Sequence, residues 1–352
     1  MNNTHIQWCD YSANVIKYRD EDGKSVWACV KVSAGCTNCY AEALAKRYGR
    51  GGPFTVGATA KVTPYFDEAE AKALLSPKRL PAGSKVFIGV MTDVFGPWVP
   101  DELLDRLFAV FALRPDVVFQ VLTKRPERMR AWMADLTTER LIETAREMLG
   151  DEAEVFVANW LNGWSRPRGV DDGNPCDGTV PRWPLANCWL GTSVEDQPRA
   201  NERIPELLAT PAAVRFLSCE PLLGPVTLDL DICDGCDTGS GVGHRPPISW
   251  VIVGGESGPG ARACDIGWLR GLVGQCRAAG VAVFVKQLGA RPMIANDIGA
   301  DEWPGGVMPL AEAYTPRHQG EVAPLQLRDR KGGNPDEWPE DLKVREFPEV
   351  AR

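Results

Sequence analysis

The sequence predicts an α/β protein whose core is a parallel β/α barrel, partial or complete. Two observations favour this fold: short apolar runs rich in β-branched residues recur along the chain, and helical patterns separate most of them. Buried parallel strands show such nearly continuous apolar runs because helices cover their faces. The six predicted strands span residues 86–91, 117–122, 188–192, 214–218, 250–253 and 281–285.

The predicted helices occupy the intervals that crossover connections require. The segment 100–111 begins with Pro100, Asp101 and Glu102, residues that suit a helix N-terminus, and it carries an apolar face. Further helical patterns follow strands at 125–133, 199–208 and 266–279.

Two segments depart from this strand–helix alternation. Residues 150–186 are polar and rich in turn formers, which predicts an insertion before the third strand. Residues 290–352 are rich in Pro, Gly and acids and contain no clear strand, so we expect a C-terminal extension that wraps the barrel. The predicted barrel domain therefore spans 1–289.

Composition limits the functional classes. No stretch approaches about 20 apolar residues, and the N-terminus lacks a signal pattern, so we expect a cytoplasmic protein without a membrane partner. The formal charge of −8 argues against coating nucleic acid by charge alone but permits a local basic surface. Eleven cysteines at irregular spacings favour metal or redox use over disulfides.

Polar side chains follow all six predicted strands. Because the carboxyl ends of barrel strands converge on one face, these residues predict an active site there. Glu220 and Lys286 directly follow apolar strands and are the candidate catalytic residues. The other positions are Asp93, Lys124, Ser193, Glu195, Gly254, Gly255 and Glu256.

The densest chemical signal is a group of three cysteines, Cys29, Cys36 and Cys39. A Cys-x2-Cys turn directs two sulfurs at one metal, and Gly35 permits the sharp backbone. Three thiolates on a four-iron cluster would leave one iron open to a small molecule. Alternatively, Cys9 would complete a four-thiolate zinc site, and spacing alone leaves both alternatives open.

A second Cys-x2-Cys turn joins Cys233 and Cys236, with His244 eight residues later. With Cys176 from the insertion these residues would form a second metal site. Two unconnected thiols in a loop are the alternative, because no complete ligand set is visible.

The chain resembles the phage protein family named for its three-cysteine motif, which is itself similar to the radical S-adenosylmethionine superfamily. The matching segments are 33–42 (SAGCTNCYAE), 91–96 (MTDVFG), 119–129 (FQVLTKRPERM), 189–195 (WLGTSVE), 217–224 (LSCEPLLG), 250–262 (WVIVGGESGPGAR) and 285–289 (VKQLG).

This resemblance implies a barrel of the radical S-adenosylmethionine type with a four-iron, four-sulfide cluster on Cys29, Cys36 and Cys39. S-adenosylmethionine would bind the open iron, and Gly254-Gly255-Glu256, with Asp93 and Ser193, would contact this cofactor. The spacing departs from the superfamily pattern: six residues separate Cys29 from Cys36, and the aromatic Tyr40 follows the last cysteine.

The function that the resemblance implies is radical chemistry on a nucleic-acid base, with a cellular electron donor as partner. Isomerisation of an amino-acid-modified thymine in viral DNA is the expected reaction, and repair of a thymine lesion is the close alternative. Two other classes stay open. One is a zinc phosphohydrolase using Asp93, Glu195, Glu220 and Glu256, and the other is a nucleic-acid-binding protein with a zinc knuckle.

Basic residues beside the predicted mouth suit a phosphate-bearing substrate, which would be DNA or a modified nucleotide. Lys124, Arg125 and Arg128 are the candidate nucleic-acid contacts because they begin the helix after the second strand. Lys46, Arg47 and Arg50 form a second basic group that follows the cysteines, although a solvated helix face would explain either group.

Overall fold

A computed structural model describes residues 1–150, 184–230, 247–295 and 322–349 of the chain. Its strands are β1 Asn2–Asn3, β2 Tyr11–Ala13, β3 Ile16–Arg19, β4 Ser25–Val26, β5 Thr63–Phe66, β6 Lys85–Ile88, β7 Val118–Thr123, β8 Cys188–Ser193, β9 Val214–Cys219, β10 Trp250–Gly254, β11 Cys264–Asp265, β12 Ala282–Gln287, β13 Pro292–Ala295 and β14 Val322–Pro324. Its α-helices are α1 Tyr40–Arg47, α2 Val56–Thr59, α3 Glu68–Leu75, α4 Asp101–Ala112, α5 Pro126–Asp135, α6 Thr138–Leu149, α7 Gln197–Leu208 and α8 Ile266–Ala279.

The main sheet has eight strands in the order β1-β2-β6-β7-β8-β9-β10-β12. From β2 to β12 every neighbouring pair is parallel, and only β1 pairs antiparallel. The six predicted strands all lie in this sheet as parallel neighbours, so the α/β class is confirmed. The carboxyl ends of seven strands therefore lie along one edge.

The sheet curves around an aromatic inner cluster. The ring of Trp8 lies 4.6 Å from Phe87 of β6 and 6.1 Å from Trp250 of β10. In a flat sheet, strands four positions apart would be separated by about 19 Å, so a single indole that contacts both indicates strong curvature. The remaining members of the inner cluster are Cys9, Trp189, Val214, Phe216, Ile252 and Phe284.

The opposite face of the sheet carries the larger core. The apolar sides of α4, α5, α7 and α8 pack there, and Leu104, Phe108, Met129, Leu207 and Leu269 are nearly inaccessible to solvent. This arrangement follows the alternation of strand side chains, which places successive residues on opposite faces. It explains why the strand sequences are apolar throughout.

The sheet is open, so a complete barrel, one of the two forms that the sequence predicted, is not observed in the described residues. Neither β1 nor β2 pairs with β12 in this part of the chain. The predicted first strand also ends early, at Ile88, because Gly89 takes a φ of 76° and turns the chain. Closure depends on how two distant edges meet, which local periodicity does not report.

A C-terminal segment covers the β12 edge. The Val285 N–H donates to the Val344 carbonyl at 2.8 Å, and the Glu346 N–H donates to Val283 at 2.9 Å. The Trp250 indole also donates to the Glu346 carbonyl at 2.8 Å. The predicted extension thus contacts the sheet where it is described, and it contains the short strands β13 and β14, which the sequence did not indicate.

Among the residues that the structure describes, no helix has the length and apolar character needed to cross a membrane.

Candidate functional site

The three predicted cluster ligands lie on one segment between β4 and α1, which we call the cysteine loop (residues 27–39). Cys36 ends a short 3-10 helix, and Cys39 occupies the N-cap position of α1. All three cysteines are partly buried and free of disulfides. Cys29 and Cys39 also pack against the same small apolar cluster around Phe54. Three unpaired thiols therefore lie on a single loop.

The first half of the cysteine loop is attached to the ends of β6 and β7. The Thr92 hydroxyl, after β6, donates to the Ala28 carbonyl at 2.7 Å. The Arg125 guanidinium, after β7, donates to the Val30 carbonyl at 2.8 Å. Because both bonds use backbone carbonyls of the loop, they set its position at the carboxyl edge of the sheet.

Asp93 supports this attachment. Its carboxylate accepts from the Arg125 guanidinium at 2.8 Å, the Thr123 hydroxyl at 2.7 Å and the Lys124 N–H at 3.0 Å. Asp93 and Arg125 are both largely buried. Asp93 was predicted to contact the cofactor, but both of its oxygens are occupied by neighbouring protein groups.

Glu195, after β8, supports the middle of the loop. Its carboxylate accepts from the Gly35 N–H at 3.3 Å and from the Arg203 guanidinium at 3.0 Å. Burial raises the pKa of Glu195, but the charges of Arg203 and Lys124 outweigh it, so the pKa lies below its ordinary value. A Cβ at position 35 would lie 3.0 Å from this carboxylate, which explains the glycine there.

Glu256, after β10, anchors the end of the loop. It accepts from the Asn38 amide at 3.0 Å and from Arg262 through the guanidinium at 2.6 and 2.8 Å and the backbone N–H at 2.9 Å. Arg262 also donates to the Ala34 carbonyl at 2.9 Å. Burial raises the pKa of Glu256, but the bonds from Arg262 and Asn38 lower it below its ordinary value. The carboxylate predicted to contact the cofactor thus holds the loop.

Two further pairs face the same edge. The Lys124 ammonium donates to the Ser193 hydroxyl at 3.0 Å, which links the ends of β7 and β8. The Lys286 ammonium donates to the Glu220 carboxylate at 3.1 Å, which links the ends of β12 and β9. The structure therefore places the two candidate catalytic residues in contact, on strands that both flank β10.

Gly254, the last residue of β10, and Gly255, which follows it, are required by the protein itself. A Cβ on Gly254 would lie 2.7 Å from a Glu220 oxygen, and one on Gly255 would lie 2.3 Å from the Leu288 carbonyl oxygen. We expected these glycines to admit a ligand close to the backbone. The space is instead occupied by neighbouring strands.

Two of the three predicted nucleic-acid contacts, Arg125 and Arg128, form ion pairs within the protein. Arg125 is only 6% exposed and pairs with Asp93, so it offers no surface charge to a phosphate. Arg128 donates to the Gly96 and Val99 carbonyls and pairs with Asp101. Both arginines thus bond groups within the protein, which a run of basic residues in the sequence does not reveal.

The described residues near the cysteine loop offer no site for a single metal ion. In the described part of the chain, no three His, Cys, Asp or Glu side chains are close enough to hold one ion. Each nearby carboxylate is also paired with a cation, as the pairs Asp93–Arg125, Glu195–Arg203, Glu220–Lys286 and Glu256–Arg262 show.

Cys9, the fourth ligand of the zinc alternative, lies apart from the loop. It is buried in the inner aromatic cluster, and burial raises the pKa of its thiol to about 12. The next residue, Asp10, donates its N–H to Lys85 at the start of β6, which is the opposite edge of the sheet. Cys176, Cys233, Cys236 and His244 lie outside the described residues.

Residues that the sequence reasoning missed hold the site together. Arg262, Arg203 and Asn38 each pair with a carboxylate that was predicted, but they lie in loops or on a helix face rather than after a strand. Arg262 ended one matching segment of the sequence without being given a role. Its position six residues after Glu256 in a glycine-rich turn was the only available signal.

The comparisons place the chain in a family. Residues 3–321 match the family model described as "Protein of unknown function (DUF5131)", and the chain belongs to this family. No curated protein and no solved structure matches the chain. The predicted membership of the phage three-cysteine-motif family, with its likeness to radical S-adenosylmethionine enzymes, is therefore wrong as a family assignment.

Proposed function

We propose that the chain is an iron–sulfur enzyme that uses S-adenosylmethionine for radical chemistry on a nucleic-acid base. One observation carries the proposal: the three-cysteine loop lies across the carboxyl ends of the parallel strands. Side chains that follow β6, β7, β8 and β10 hold it there. This edge is where parallel β/α folds place ligands.

The curved sheet supports the same proposal. A partial parallel barrel of the kind that radical S-adenosylmethionine enzymes use needs one inner face and an open mouth. The inner face here is filled by aromatic rings around Trp250. The polar pairs Lys124–Ser193 and Glu220–Lys286 lie at the carboxyl edge, so groups bound there would meet the cysteine loop.

Cys29, Cys36 and Cys39 would hold a four-iron, four-sulfide cluster through three thiolates. When bound, the cluster supplies the electron that cleaves the sulfonium of S-adenosylmethionine. The chain's own task is to position the reactants and to exclude water.

Lys124 and Ser193 are the strongest candidates for a cofactor or substrate anion. The neighbouring Asp93 and Glu195 carboxylates are compensated by Arg125 and Arg203, whereas Lys124 contacts a neutral hydroxyl. A partly buried ammonium beside a hydroxyl suits a carboxylate or a phosphate. Of the predicted cofactor contacts, Ser193 is kept in this proposal and Lys124 is added, because Asp93 and Glu256 are already paired within the protein.

Glu220 and Lys286 suit a polar edge of the substrate. Their side chains are only 12% and 24% exposed and offer one acceptor and one donor, 3.1 Å apart. The carbonyl and N–H on the edge of a thymine or uracil base present the complementary pair. Protonated Lys286 would donate to the base carbonyl, and Glu220 would accept from its N–H.

The substrate is proposed only as a class. An amino-acid-modified thymine in viral DNA, or a thymine lesion, depended on the resemblance that the family match overturns. The zinc-dependent rivals gain no support, because no described group of side chains forms a single-ion site.

The test is metal analysis of full-length protein isolated without oxygen. We expect about four irons and four sulfides per chain, as one cluster requires. Changing Cys29, Cys36 or Cys39 to Ala should abolish iron binding, whereas Cys9→Ala, the matched control, should retain it. Reduced protein should also convert S-adenosylmethionine to 5′-deoxyadenosine, measured by mass spectrometry. One equivalent of zinc without iron after anaerobic reconstitution would refute the proposal.

A further inference from the structure

A second basic surface lies beside the cysteine loop. We call it the α1 surface and define it by Tyr40, Lys46, Arg47, Tyr48 and Arg50. All five residues are exposed, with Tyr40 at 53% and Tyr48 at 66%. The opposite side of α1 is apolar and buried through Ala41 and Ala45.

The α1 surface is unusually positive for this chain. Residues 43–66 contain four basic residues and no acidic one, although the whole chain has a net charge of −8. In the described part of the chain, Lys46, Arg47 and Arg50 form no ion pair with a carboxylate. The charge of Lys46 helps to lower the pKa of Glu42, one turn earlier on α1, whereas Arg47 and Arg50 direct their charges to solvent, unlike Arg125 and Arg128.

The same stretch of the chain is rich in exposed apolar groups. Five large hydrophobic side chains are exposed among the described residues, and four lie between positions 32 and 56: Val32, Tyr40, Tyr48 and Val56. The Arg47 guanidinium lies 5.8 Å from the centre of the Tyr48 ring. Cations interleaved with open aromatic rings match a nucleic-acid strand, which presents phosphates and base faces in alternation.

The α1 surface is continuous with the candidate site. Tyr40 directly follows Cys39, and its hydroxyl donates to the Val90 carbonyl after β6 at 2.6 Å. Arg47 lies about 10 Å farther along the helix axis. The turn at 20–24, which carries three acidic residues, limits the surface on its far side, where the Lys24 ammonium donates to the Gly49 carbonyl. The positive surface therefore leads toward the cysteines.

We propose that the α1 surface binds single-stranded nucleic acid and directs one base to the mouth of the sheet. Lys46, Arg47 and Arg50 would contact phosphates, and Tyr48 would stack on a base. This proposal rests on the proposed function for the substrate class. The α1 surface replaces Arg125 and Arg128 as the proposed nucleic-acid contact, because both of these arginines are paired within the protein. A base in a duplex is inaccessible to chemistry, so a single strand is the preferred form.

The test measures binding of a fluorescein-labelled thymidine oligonucleotide of about 12 nucleotides, over a range of salt concentrations. Changing Lys46, Arg47 and Arg50 together to Ala should weaken binding by about 100-fold near 0.1 M salt and reduce the salt slope by about 2. Tyr48→Ala should weaken binding by about tenfold without changing the slope, because stacking releases no counterions.

A matched control removes three exposed cations elsewhere. Lys72, Lys78 and Arg79 precede β6, at the opposite edge of the sheet, and changing them to Ala alters the net charge equally. Binding should then stay within about twofold of the parent. An unchanged salt slope in the α1 variant would overturn the proposal. So would unchanged binding with slower reduction by an acidic flavin-containing electron carrier, since the surface would then belong to the electron donor.

The two proposals fail separately. Oligonucleotide binding does not require the cluster, and cleavage of S-adenosylmethionine without substrate does not require the α1 surface. A zinc protein that binds the oligonucleotide through these cations would refute only the proposed function. An iron–sulfur protein with an unaffected α1 variant would refute only the nucleic-acid surface.

Discussion

Replacing Glu195 with Gln removes the charge that compensates Arg203 beneath the cysteine loop. The two side chains are 0% and 3% exposed, and their charged atoms lie 3.0 Å apart. The Gln side chain still offers an oxygen to the Gly35 N–H, so the contact with the loop is retained. The variant therefore removes the charge of Glu195, and with it the ion pair to Arg203, while the contact with the loop remains.

The expected loss of stability follows from this geometry. At an effective dielectric constant of about 20, charges at this separation attract by about 5 kcal/mol, of which desolvation cancels a part. A buried arginine left without its partner typically costs about 3–5 kcal/mol. Glu195→Gln combined with Arg203→Met removes both charges, and its loss should stay below about 2 kcal/mol.

Urea unfolding of metal-free protein measures both variants without a contribution from bound metal. Glu195→Gln should lower the midpoint by about 1 M, and the double variant should recover most of this loss. A single variant within about 0.5 kcal/mol of the parent would refute the reasoning, since surface changes cost as little. A double variant as unstable as the single one would also refute it.

The same pair predicts a pH dependence. The pKa of Glu195 is lowered in the folded state, so its contribution to stability is fully present above the ordinary value of 4.5. It is lost as the pH falls through the lowered value. The difference in stability between the parent and Glu195→Gln should therefore be constant at neutral pH and shrink in acid.

Two further predictions concern the supporting structure. The buried Asn187 amide donates to the Phe111, Arg114 and Val117 carbonyls, at 3.0 Å each. Asn187→Ala should therefore lower the free energy of unfolding in urea by about 2–3 kcal/mol. An unchanged free energy of unfolding would show that water replaces these bonds. Gly255→Ala should destabilise the fold through a clash with Leu288, whereas Gly271→Ala, at an open helical position, should stabilise it by about 0.5–1 kcal/mol. Normal stability with weaker S-adenosylmethionine binding in Gly255→Ala would instead restore the ligand interpretation of this glycine.

The main sheet was predictable because most of its strands are short apolar runs that can be recognised from the local sequence alone. Runs such as 250–253 and 281–285 are apolar enough to be recognised, and 266–279 shows a clear helical pattern that the structure reproduces in full. The short strands β1 to β5 have two to four residues each and no continuous apolar run, so the same reasoning passes over them.

The site was predictable in position but not in detail. Strand direction alone implies that Asp93, Glu195, Glu220 and Glu256 approach one another. What each carboxylate bonds depends on side-chain directions that the sequence does not encode locally. Arg125 illustrates this limit of sequence-based prediction. Its place in a basic stretch suggested an exposed cation, yet its side chain bonds Asp93 and the cysteine loop.

The C-terminal segment on the β12 edge has a consequence for solubility. An open sheet leaves a row of unpaired N–H and C=O groups at each border, and such borders invite other chains to add strands. Here one border ends in the two-residue β1. At the other border, Val285 donates to Val344 and the Val283 carbonyl accepts from Glu346. A chain cut before residue 338 would expose β12 and the ring of Trp250. We expect it to self-associate while its cysteine loop remains intact.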